Sequence, residues 1–162
     1  MHPEIYYAKN WYIEAHHIAE LWASKYNYTV PQVVGIIAVL SPLQVWHQNL
    51  RWAHSILKEV NPRCYGFLHA HKKALAIKAG AKPSNILKGD KVKSFYASIL
   101  RPHGSSIVID RHMLKSIQYP KRTLIKKQYQ KIASYFHHKA LGHSMIGNEY
   151  QAMVWVAISG RV

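Results

Sequence analysis

The sequence predicts an all-α fold, and three observations predict it. Apolar residues recur at spacings of three and four along most of the chain. Proline and glycine fall between those segments, where helices start and stop. The apolar run Ile107-Val108-Ile109 is too short for a sheet, and no pair of strands is long enough to build one. The expectation is a single compact bundle of about eight helices spanning residues 1–162, of a size that buries a core without disulfides.

The first helix runs from about Pro3 to Lys25, with Ile5, Trp11, Tyr12, Ala15, Ile18, Ala19 and Trp22 on its apolar side. Residues 27–29 break it, and Pro31 suits the first turn of the next helix, which is apolar on most sides to Leu40 and so belongs in the core. Ser41-Pro42 reads as an N-cap followed by proline at the first helical position, opening a helix that Asn61-Pro62 ends. Another helix covers about Phe67 to Ala79 and stops at Gly80. Pro83 and Ser84 open a very short one, Gly89 turns the chain, and Lys91 to Leu100 follow as a helix. Beyond the loop at Pro102-His103-Gly104, Asp110 stands at the start of a helix, and two more span about Arg122 to Leu141 and Asn148 to Ser159. Repeats and low-complexity linkers are absent from the sequence.

Charge narrows the function. Twenty-two lysines and arginines face seven acids, for a formal +15 and an isoelectric point near 10.0. The chain is nevertheless 49% hydrophobic and 12% aromatic, which excludes a disordered basic tail. A folded body with so large a positive field favours a polyanion, because each cation that meets a phosphate releases condensed counterions. Double-stranded DNA is the expected partner, and a monomer the expected state. RNA is the weaker reading, since no RNA-recognition sheet pattern is present.

One cysteine, Cys64, excludes an internal disulfide and a cysteine metal cluster. The twelve histidines fall mostly in pairs or beside lysines (His16-His17, His69 and His71, His137-His138), as on solvated helix faces, so no metal and no cofactor are called for. Glu4, Lys9 and Glu14 interrupt any leader-like apolar run. The longest apolar stretch, Val33 to Leu40, falls well short of the roughly 20 residues a membrane span needs. A cytoplasmic protein, bacterial or of a phage-infected host cell, is expected.

The informative segment is Ile86 to Ile117: a short helix, a glycine turn, a second helix, a loop and an apolar triplet ending in Asp110. A glycine turn lets backbone amides and a helix N-terminus approach a phosphate closely. Lys88, Lys91 and Lys93 surround Gly89 and would neutralise the same phosphates. Asp110 admits two readings, a helix N-cap or a functional carboxylate.

The order of these features resembles the helix-hairpin-helix DNA glycosylase superfamily. Leu87 to Ser94 falls where that superfamily has its hairpin and second helix. Ile109-Asp110-Arg111-His112 resembles its Val-Asp-Thr-His element, whose Asp is the catalytic carboxylate. Ser41 lies in a stretch similar to its Leu-Ser-x-Gln region at the base-inserting turn. Lys93 occupies the position of the Schiff-base lysine of bifunctional members, 17 residues before Asp110. Two hairpin positions depart from the pattern, since Lys91 replaces the second glycine and Lys88 the preceding proline.

A closer resemblance is to the phage-associated branch of alpha-glutamyl/putrescinyl thymine pyrophosphorylase-like proteins. It rests on Leu40-Ser41-Pro42 with Trp46 and Asn49; on Gly89, Lys91, Phe95 and Tyr96; on Ile109 to His112; and on Gln151, Ala152 and Trp155.

The resemblance implies an enzyme acting on a base in DNA, by N-glycosidic cleavage or in pyrimidine hypermodification. The alternative is a hairpin DNA-binding module without chemistry. Asp110 is the first catalytic candidate, because glycosidic cleavage passes through an oxocarbenium-like state that a carboxylate stabilises. Lys93 is the second, as a nucleophile or as a phosphate contact. The DNA-contacting candidates are Lys88, Gly89, Lys91, Arg111 and His112, with Gln44, Trp46 and His47 placed to grip a flipped base or fill its gap. His112 reads equally as an acid–base partner of Asp110 or a core histidine, and Trp46 as tool or core. Trp52 and Trp155 read as core. Glu149 and Gln151, at the start of the last helix, are candidates for the same cleft, with a helix-dipole role the alternative for Glu149.

Overall fold

Helices carry all of the regular structure among the described residues. The computed structural model describes residues 3–121 and 123–159, and its described residues form nine helices and no strand. They are α1 (Pro3–Tyr26), α2 (Val30–Leu40), α3 (Trp46–Lys58), α4 (Leu68–Lys78), α5 (Pro83–Ile86), α6 (Asp90–Leu100), α7 (Arg111–Ser116), α8 (Lys126–Gly142) and α9 (Gly147–Ser159). The all-helical class holds, with one helix more than the eight or so expected. Arg122, the expected start of the penultimate helix, lies outside the described residues. The chain divides into two compact units: a central unit, His16–Tyr96, and a terminal unit, Met1–Ala15 with Ala97–Val162.

The central unit is built around α2. Thr29 and Gln32 form a capping box, and Pro31 fills the first turn. Eight consecutive residues, Val33 to Leu40, are buried, as the apolar run predicts. Around α2 pack α3, α4 and α5. Gly35 permits the closest approach: a Cβ there would sit 2.8 Å from Pro83 Cγ and 3.3 Å from Ile77 Cδ1. Gln32 Nε2 donates to the Ile77 carbonyl at 3.2 Å, tying α2 to α4 a second way.

Ser41 does not open α3. It closes α2: its amide and hydroxyl both donate to the Ala38 carbonyl, the hydroxyl at 2.8 Å. A turn then runs through Pro42 and Leu43, and α3 begins at Trp46 with Val45 in the cap position. The misreading has a physical origin, since a serine before a proline suits either end of a helix and this one found a carbonyl behind it. His71 also departs from expectation. It is buried, and its Nδ1 accepts the Tyr65 amide at 3.3 Å, so it belongs to the core and not to a solvated face.

In the terminal unit, Ile107, Ile109, Met113 and Leu114 pack with Tyr129, Ile132 and Phe136 of α8. The apolar triplet is extended but joins no sheet. Tyr129 solves its backbone problem: the Ile109 amide donates to the phenol oxygen at 3.0 Å, and the phenol donates to the Ile107 carbonyl at 2.8 Å. One side chain thus serves the triplet as a neighbouring strand would, and delivers Asp110 to the start of α7.

Candidate carboxylate centre and nucleic-acid interface

Asp110 adopts extended backbone (φ −108°, ψ −175°) just before α7. Its Oδ1 accepts the amides of His112 and Met113 at 2.9 and 3.0 Å, which is N-cap geometry. The cap leaves Oδ2 to a different partner. Trp155 Nε1 donates to it at 3.1 Å from α9. Trp155, read from sequence as core, is half-buried and touches the carboxylate directly. His112 meets the same indole edge-on, with ring centroids 5.8 Å apart.

A buried polar pair lies in the same unit. The Tyr12 hydroxyl donates to Gln151 Oε1 at 2.6 Å. Burial pushes the Tyr12 phenol far above the usual range, the nearby Asp110 carboxylate pushes it further, and a hydrogen bond with Ser98 opposes them. Tyr12 is therefore a neutral donor at every physiological pH. Gln151 is buried as its partner, whereas Glu149 sits half-buried in the first turn of α9, where the helix dipole favours an acid. Arg111 is exposed, with Nε 3.4 Å from His112 Nε2. The unit thus gathers Asp110, His112, Tyr12, Gln151 and Trp155. Sequence spacing alone does not reveal Tyr12 and Trp155, because both lie on amphipathic helices where aromatics ordinarily pack.

The glycine turn lies in the central unit. Leu87 is buried and its amide closes α5 on the Pro83 carbonyl at 2.8 Å. Gly89 takes φ +80°, and a Cβ built there meets nothing within 4 Å, so the turn is open to solvent. Lys88, Lys91 and Lys93 are exposed around it. Lys93 is exposed, with Lys88 and Lys91 as its neighbours in sequence, so burial does not act on it. A cleft of about 170 Å³ adjoins the turn, and His69, Lys73 and Lys88 supply its basic groups against Val39, Pro42 and Val92. His69 and Lys73 are a fourth-residue pair on α4, invisible as a site until the fold places them beside Lys88.

Trp46 is half-buried and packs edge-on against Phe95 of α6, with centroids 6.4 Å apart. Gln44 is half-buried and His47 exposed. The residue the turn presents is Leu43. It is 82% exposed, and its φ of +62° places a branched side chain in the left-handed region.

The family described as Family of unknown function (DUF7178) matches residues 3–162. The chain belongs to this family. The match spans both units, so the carboxylate centre and the glycine turn both fall within DUF7178. No curated protein and no solved structure matches the chain.

In this DUF7178 chain the positive charge is shared between the units. The central one holds eleven lysines and arginines against three acids, the terminal one eleven against four. Among the described residues no lysine or arginine pairs with a carboxylate within 4 Å; Glu20 is engaged by His16 and His17 instead. No group of three metal-ligating side chains and no helix long and apolar enough to cross a membrane occur among them.

Proposed function

We propose that the protein binds double-stranded DNA through its phosphates and acts on a base with the Asp110 carboxylate. The observation that carries the reading is a folded body of +15 whose lysines and arginines have no carboxylate partners among the described residues. Cations left unpaired are available to phosphate, and each one engaged adds counterion release. The open turn at Gly89 with Lys88, Lys91 and Lys93 supplies the backbone contact, and the cleft at His69 and Lys73 extends it. Leu43, exposed on a strained turn, suits the wedge that separates stacked bases.

For the reaction, the two oxygens of Asp110 divide their work. Oδ1 holds the start of α7, and Oδ2 faces the Trp155 indole. A carboxylate fixed by three donors stays oriented toward a developing positive charge. In glycosidic cleavage the bonding pair leaves on the base, which takes up a proton, and water adds at the sugar carbon. In this reading His112 moves the proton and Asp110 stabilises the oxocarbenium-like state. The resemblance to the glycosylase superfamily and its thymine-modifying branch supports the same residue.

The second reading is a DNA-binding module without chemistry, favoured by the N-cap role that Asp110 already fills. Wild type and D110N, incubated with duplexes carrying uracil, 5-hydroxymethyluracil, 8-oxoguanine or alkylated bases, separate the two. Abasic product on a denaturing gel, absent with D110N, supports the enzyme. Binding without product on any substrate supports the module.

A further inference from the structure

We infer that the central unit carries a phosphate-monoester site in the cleft between α3 and the loop at residues 59–66. The inference stands apart from the DNA reading, because none of the glycine-turn residues lines this cleft. Its walls are Gln48, Arg51, Trp52, Ser55, Arg63 and Tyr65, around a volume of about 240 Å³. At about 30 Å³ per water in the liquid, that holds several waters, or one phosphate with part of a sugar.

The sequence builds one wall by helical spacing. Gln48, Arg51, Trp52 and Ser55 stand at positions i, i+3, i+4 and i+7 of α3, and so share one stripe. The opposite wall is a loop held firmly in place. Tyr65 is buried, its amide donates to His71 Nδ1 and its hydroxyl donates to Glu59 Oε1 at 2.7 Å. Lys78 Nζ donates to the backbone carbonyls of Ile56 and Glu59, pinning the start of the loop to the end of α3. Gly66, at φ +69°, lets the loop close on Trp52, where a Cβ would lie 2.9 Å from the indole.

Two guanidinium groups face this cleft with no carboxylate within 4 Å. The Arg63 guanidinium carbon lies 5.4 Å from the Tyr65 ring centroid, which restrains its swing. The acid nearest in sequence, Glu59, takes the Tyr65 hydroxyl instead. Paired arginine forks match phosphate oxygens bidentately, and the Ser55 hydroxyl and Gln48 amide add neutral donors. A monoester carries about −1.5 to −2 at pH 7, which complements two arginines better than the single charge of a phosphodiester. The monoester has two sources, a free nucleotide or the 5′ end of a DNA strand.

The test follows arginine Nε–H resonances of the labelled full-length protein, assigned through R51Q and R63Q. Inorganic phosphate is expected to shift both saturably, whereas sodium chloride at matched ionic strength is not. R51K/R63K keeps the charge and removes the forks; followed through the Trp52 indole N–H, it is expected to bind phosphate at least tenfold more weakly while melting normally. Tighter binding of a 5′-phosphorylated duplex over its 5′-hydroxyl counterpart identifies the strand end; saturable binding of a deoxynucleoside monophosphate identifies the free nucleotide. Equal shifts with phosphate and chloride, or undiminished binding by R51K/R63K, overturn the site. Indifference to the 5′-phosphate together with no nucleotide binding overturns it equally. Loss of DNA binding elsewhere leaves these outcomes readable, because the Arg51 and Arg63 Nε–H resonances report on this cleft alone.

Discussion

Trp155 donates its indole N–H to Asp110 Oδ2 at 3.1 Å, across 45 residues of sequence, while Oδ1 of the same carboxylate caps α7. The two oxygens are energetically separable. D110A is expected to cost about 1–2 kcal/mol through the lost cap alone. W155F keeps the cap and removes the indole donor. A double-mutant cycle between them in urea is predicted to give a coupling of about 1 kcal/mol or more, as expected for a hydrogen bond to a charged group. A coupling near zero removes the indole from the carboxylate centre.

Tyr129 supports Asp110 from below by satisfying the backbone of the triplet that precedes it. Y129F leaves a buried amide and a buried carbonyl without this partner. At about 1–3 kcal/mol for each group left unsatisfied, the variant is predicted to lose roughly 2–4 kcal/mol, read from its denaturation midpoint. A loss below 0.5 kcal/mol on the order of an ordinary surface change would mean the triplet is held another way.

Gly35 tests the packing of the central unit. Its missing Cβ makes room for Pro83 at 2.8 Å, and Pro83 opens the short helix before the glycine turn. G35A gains helix propensity but overpacks the core, and a net destabilisation of about 1–3 kcal/mol is expected. Thermal melting decides the sign, and a stabilised variant contradicts the contact.

Stability should fall on mild acidification through His54. Burial, with Lys25 and Lys58 nearby, holds the folded imidazole below its ordinary pKa, and the Tyr26 hydroxyl meets its Nε2 at 2.6 Å. In the tautomer with Nε2 unprotonated the neutral ring accepts that hydroxyl, and protonation removes the acceptor. Because the folded value is lowered, the unfolded chain takes up the proton first. The His54 contribution is therefore intact above about pH 6.5, the unfolded value, and declines below it. Melting temperatures between pH 5 and 8 are expected to show a shallower acid slope in H54Q than in wild type.

Much of the fold is legible in the sequence because its signals are local. Proline at the first turn, the Thr29-Gln32 box and the breaks at Asn27, Gly80 and Gly89 fix helix ends by short-range sterics and capping. Ser41 escaped for the same reason, since its local chemistry suits both ends of a helix and only tertiary context chose the Ala38 carbonyl. The site was half visible. Asp110 and the lysines around Gly89 announce themselves by type and position. Trp155 and Tyr12 do not, because a polar tip on an aromatic side chain looks like core until its partner is in place. Leu43 was hidden by its backbone, as no sequence pattern predicts a leucine at φ +62°.

The central claim is that unpaired cations on a folded body engage DNA phosphates. Its most direct test is duplex binding by fluorescence anisotropy across a salt series, for wild type and K88A/K91A. The predicted result is a linear fall of log K with log salt, with a slope shallower in the variant by about 2, at roughly 0.9 per phosphate contact. Duplex binding that is absent at low salt, or a slope unchanged in K88A/K91A, would contradict the account.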